Sequence, residues 1–152
     1  MMKSIASAIA LCIAASAAQA AEGAWNSAGS AGTYEYSVTN RDGATLRVVN
    51  ASGSGGEGGG PDCYVTFEKD GLKLPKAYPM SVDAGGEMFF FAMKDGNSTG
   101  DTKTDREQLF GLVGKLITSK KPSFSVSIQG AKHAFPTKNA AKALNDALDG
   151  CN

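Results

Sequence analysis

Apolar and polar residues alternate with a period of two along most of this chain, and only two stretches change to helical spacing. Tyr34, Tyr36 and Val38 alternate with Glu35 and Ser37, and a β-branched apolar run follows at 44–50 across Asn40-Arg41-Asp42-Gly43, which predicts two strands joined by a turn. Residues 62–68 repeat the pattern with Cys63, Val65 and Phe67 on one face. After an Asp70-Gly71 turn, an extended piece runs through Leu72, Leu74 and Tyr78; Pro75 and Pro79 cannot donate to a ladder, so that piece is expected at a sheet edge. Met88-Phe89-Phe90-Phe91-Ala92-Met93 is almost unbroken apolar and bounded by glycine turns, the pattern of a central strand covered on both faces. Phe124, Val126 and Ile128 mark one more strand at 123–128.

Two helices complete the pattern. Thr104-Asp105-Arg106-Glu107 reads as a capping box, followed at helical spacing by Leu109, Phe110, Leu112, Val113, Leu116 and Ile117. Gly111 and Gly114 each weaken that helix by roughly 1 kcal/mol, so close packing against the sheet is the expected reason for them. Thr137 opens a second helix with Ala140, Leu144, Ala147 and Leu148 on one face. The fold expected is α+β: an antiparallel sheet of five to seven strands, two helices packed on one face, and one disulfide.

The first twenty residues stand apart. Lys3, an uncharged stretch over 5–18 and the closing Ala18-Gln19-Ala20 have the form of a secretory signal peptide, so residues 1–20 are expected to be removed, Cys12 with them. Residues 21–32 are small and Gly/Ser-rich, with only Trp25 to anchor them, and read as a flexible mature N-terminus. Residues 33–152 then form a single domain interrupted at 52–61 by a glycine-rich loop with nothing to bury. Cys63 and Cys151 are the even pair left in an exported chain and read as a disulfide. Nothing after the signal is apolar enough to span a membrane, and the product is expected in the periplasm or secreted.

Ser125-Val126-Ser127-Ile128, then Phe135, then Ala140-Ala141-Lys142-Ala143-Leu144 and a terminal Cys151 resemble the close of small alphaproteobacterial envelope proteins of the invasion-associated locus B type. The likeness covers roughly the last forty residues, and the cysteine-bearing segments those proteins carry near the mature N-terminus have no match here. It implies an α+β domain of the periplasm or cell surface, linked to virulence or envelope maintenance and without known catalysis.

Loss of Lys3 leaves 14 basic against 15 acidic residues, so the total charge selects no partner. Its distribution does: 115–142 carries six lysines and no acid, while 57–70 carries four acids and one lysine. His133 is the only histidine, and no serine sits in a G-x-S-x-G elbow. The glycine loop lacks the Gly-Lys ending of a phosphate-binding loop, and one histidine without a close cysteine pair offers no metal site, so no cofactor is expected. A glycosidase needs two carboxylates in one cleft, and no motif chooses among the acids, which leaves that option open. Residues 129–136 join a strand to a helix. They read either as a solvated loop with Phe135 tucked into the core or as a loop displaying Lys132 and His133, with Lys120, Lys121 and Lys138 nearby, to an acidic partner. Nucleic acid does not fit an exported chain whose lysines have no interleaved aromatics. The expected function is non-enzymatic binding: inhibition of a lysozyme-type peptidoglycan hydrolase by loop insertion into its carboxylate cleft, or binding of an anionic envelope component or host molecule.

Overall fold

The computed structural model describes residues 23–54, 62–100 and 102–151; the expected signal peptide and residues 55–61 of the glycine-rich loop lie outside the described residues. The strands are β1 (Asn26–Ser30), β2 (Thr33–Thr39), β3 (Ala44–Asn50), β4 (Cys63–Lys69), β5 (Ala77–Ala84), β6 (Glu87–Lys94), β7 (Asn97–Ser98), β8 (Ser123–Ile128) and β9 (Ala131–Pro136). They form one antiparallel sheet in the order β1-β2-β3-β4-β7-β6-β5-β8-β9. Nine strands replace the five to seven expected, because three of them carry no alternation that a sequence pattern can register. β1 is Asn-Ser-Ala-Gly-Ser, exposed throughout, and it is held by backbone pairing to β2 across a two-residue turn whose Ala31 and Gly32 both have positive φ. β7 is two residues long. β9 follows Gly130 directly and ends on Pro136, residues that read as the bounds of a loop.

The start of the domain makes more contacts than its composition suggests. Trp25 is fully buried and its ring stacks on Phe124 at 6.1 Å, its backbone N–H donates to the Lys138 carbonyl at 3.0 Å, and its backbone carbonyl accepts from Asn139 Nδ2 at 2.8 Å. That segment helps to close the sheet on itself. The sheet rolls until β2 approaches β9, where Asn40 Nδ2 donates to the Ala134 carbonyl at 3.0 Å. Inside the roll, Phe67 of β4 lies 5.4 Å from the His133 ring and 6.4 Å from Phe135, both on β9. The core is therefore the concave side of a single curved sheet.

The helix α1 (Lys103–Thr118) covers that concavity with Leu109, Leu112, Val113 and Leu116. It packs chiefly on β6, whose edge β7 leaves open: Gln108 Oε1 accepts the Phe90 N–H at 2.8 Å and Lys115 Nζ lies 3.1 Å from Glu87 Oε2. The capping box is real but sits two residues earlier than expected, with Thr102 Oγ1 accepting from the Asp105 N–H at 3.0 Å and Asp105 Oδ2 from the Thr102 N–H at 3.1 Å. The expected second helix shrinks to one turn, α2 (Ala140–Ala143), although Ala140, Leu144 and Ala147 are buried as its spacing required. Two helices are thus present as expected in number, the second far shorter than its sequence suggested. Cys63 and Cys151 form the disulfide, with Cα atoms 5.7 Å apart, and tie the C-terminal segment to β4. Two local readings also change. β6 is covered on one face only, leaving Met88 and Phe90 exposed outward, and β5 is an inner strand that accommodates Pro79 one residue before its ladder with β8 begins at Met80.

Candidate functional site

Because Phe124, Val126 and Ile128 turn inward, β8 presents Ser123, Ser125 and Ser127 on the convex side of the sheet. Register brings charged residues alongside. Lys132 of β9 stands opposite Ser127, Ala134 opposite Ser125, and from the other neighbour Asp83 of β5 also faces Ser125. Lys121 enters just before β8. Its N–H donates to Ser119 Oγ at 3.2 Å, its carbonyl accepts from the Thr137 hydroxyl, and the next carbonyl, that of Pro122, accepts the Thr137 N–H at 3.0 Å. Lys121, Lys132, Ser123, Ser125 and Asp83 line one open cavity of about 240 Å³. Asp83 is partly engaged elsewhere, since its Oδ1 accepts the Gly86 N–H at 3.1 Å.

Of the five residues expected to meet a partner, the structure brings Lys121 and Lys132 together. Lys120 and Lys138 are exposed but do not line this cavity. His133 departs most from expectation. Residues 131–136 are a strand rather than a displayed loop, so adjacent side chains point to opposite sides: Lys132 goes outward and His133 inward, 7% exposed against Phe67. Burial holds its pKa below the usual histidine value, the Lys69 charge pushes the same way, and Asp42 opposes them. Its Nε2 is buried and has no hydrogen-bond partner. The serines of β8 and the single histidine therefore occupy opposite sides of the sheet. Ser123 and Ser125 were not singled out from the sequence, yet their signal was there, as the polar half of the alternation that identified β8.

Chemically, two ammonium groups beside a row of hydroxyls on a rigid sheet offer charge-assisted hydrogen bonds to carboxylate or phosphate oxygens. Among the described residues, no group of three His, Cys, Asp or Glu side chains could hold a metal ion, and no helix is long and apolar enough to cross a membrane. A rolled antiparallel sheet closed by one disulfide, with its core filled by a helix and its polar chemistry on the convex face, defines a small β-rich domain. The chain belongs to the YfjT family, whose model matches residues 23–144. That stretch takes in all nine strands and both helices and stops short of Cys151. No curated protein and no solved structure matches the chain.

Proposed function

We propose that this protein is a non-catalytic binding protein of the periplasm or cell surface that engages an anionic envelope component, such as a phosphorylated glycolipid, through the Lys121–Lys132 face. The observation that carries this reading is the convergence of those two lysines with Ser123 and Ser125 on one open cavity. Such a face suits an extended anion better than a protein cleft, because it does not protrude. Inhibition of a hydrolase by insertion of Lys132 and His133 has less support, because residues 131–136 are paired with β8 and His133 is buried.

The test is binding of the mature protein to lipopolysaccharide micelles, with neutral detergent micelles as control. Lys121→Ala/Lys132→Ala should weaken binding at least tenfold and leave the melting temperature within a few degrees, because exposed substitutions usually change stability by no more than ~0.5 kcal/mol. Binding should also weaken as salt rises from about 0.05 to 0.5 M. A double variant that binds like the parent refutes the reading. Potent inhibition of a lysozyme-type hydrolase, lost in the same variant, replaces it with an acidic protein partner.

A further inference from the structure

A second cavity lies elsewhere on the convex side, over β2, β3, β4 and the β6–β7 turn, with a volume of about 530 Å³. That lies within the range of about 300–1,000 Å³ typical of small-molecule sites. The cavity opens where the sheet is thinnest: β4 meets β7 at the single pair Thr66↔Asn97, and the Asp95-Gly96 turn, with φ values of 51° and 88°, stands at the rim. Arg47 is among its lining residues. Arg47 Nη2 donates to Glu68 Oε1 at 2.6 Å, and its Nε lies 3.6 Å from Glu35 Oε2, so the planar guanidinium is held by carboxylates on both neighbouring strands. Val49, which points away from the core, is nevertheless only 3% exposed and forms an apolar floor beside Tyr64. Thr66 Oγ1 is buried in the wall without a hydrogen-bond partner.

The lining limits what the cavity can take. An anion would have to sit beside Glu35, Glu68 and Asp95, and a cation would face Arg47. A largely apolar ligand would cover the Asn97 carboxamide and the Thr66 hydroxyl without giving either a hydrogen-bond partner. A ligand rich in hydroxyls suits this lining, since a hydroxyl can donate to a carboxylate while it accepts from the guanidinium, the carboxamide or the Thr66 hydroxyl, and so adds to the Arg47 pairs without breaking them. An aromatic ring at the margin offers a flat apolar surface to the C–H face of such a molecule. We infer that this cavity binds a neutral sugar unit, with Tyr64 against the ring and Arg47, Glu68 and Asn97 taking its hydroxyls. The sugar site shares no lining residue with the lysine–serine face and stands or falls separately from it.

Titration of the ¹⁵N-labelled mature protein with cellotriose and chitotriose tests it, with trigalacturonate as the anionic comparison. At least one neutral trisaccharide should shift the amides of Arg47, Tyr64, Thr66 and Asn97. Tyr64→Ala, Asn97→Ala and Arg47→Lys should each weaken that binding at least tenfold while the remaining spectrum shows the native fold, and Lys121→Ala/Lys132→Ala should leave it unchanged. Trigalacturonate should not shift these amides. The inference is overturned if neither neutral sugar shifts them, if both Tyr64→Ala and Asn97→Ala bind like the parent, or if trigalacturonate binds there as well as the neutral sugars.

Discussion

Neighbouring side chains in β9 meet opposite fates, and the contrast has a measurable consequence at His133. Its folded-state pKa is held down by burial and by the Lys69 charge, with Asp42 working against them. The unfolded chain takes up the proton near the ordinary value of ~6.5, whereas the folded protein resists until lower pH, so in that window the unfolded state holds more protons. Stability should therefore be intact above about pH 6.5 and fall on acidification below it. Urea midpoints measured between pH 8 and 5 should show this decline, and His133→Leu, which fills the same inward position without a titrating group, should flatten it. An equally steep decline in His133→Leu would place the pH dependence elsewhere. The lysine count of 115–142 was legible in the sequence, but which lysines converge was not, because that depends on the register of β8 against β5 and β9.

Helix α1 separates two glycines that its sequence presents as equivalent. A Cβ on Gly111 would lie 2.8 Å from Cε1 of the buried Phe89 ring, so that something must shift, while a Cβ on Gly114 would meet nothing within 4 Å. Close packing against the sheet therefore explains Gly111 alone, and the structure offers no reason for Gly114. Gly114→Ala should stabilise the protein by about 0.5–1 kcal/mol through helix propensity, and Gly111→Ala should destabilise it despite the same propensity gain. Chemical denaturation of the two variants checks the signs, and a stabilising Gly111→Ala would contradict the packing. Element recognition followed the same divide. Strands with one apolar face announce themselves by alternation, whereas β1 and β7 are held by main-chain pairing and neighbouring elements. The extent of α2 was overestimated for a related reason: burial at 140, 144 and 147 is met by turns as well as by a helix.

Across the whole molecule, the concave core needs both a covering element and a closure. α1 covers the concavity, and the Cys63–Cys151 bond, spanning 88 residues of sequence, holds the C-terminal segment against β4. Asn50 reinforces that closure by donating through Nδ2 to the carbonyls of Ala147 at 3.1 Å and Asp149 at 2.8 Å. Closing so long a loop restricts the unfolded chain by about 4–5 kcal/mol in the chain-entropy model. Cys63→Ser/Cys151→Ser should lose a comparable amount in urea denaturation, a large share of a small domain's stability. A loss below about 1 kcal/mol would mean that packing and the Asn50 bonds hold the segment unaided.

Local periodicity was enough to identify β2, β3, β4, β6, β8 and α1, and the cysteine count was enough to identify the bridge, because each of these is set by residues close in sequence or by simple pairing chemistry. The number of strands, the curl of the sheet and the inward turn of His133 depend on which backbones meet across the roll, and hydrogen bonds between main chains leave almost no trace in side-chain pattern. Both candidate sites belong to this second group. Lys121 with Lys132, and Arg47 with Glu35 and Glu68, become neighbours only when strands distant in the chain are paired in register.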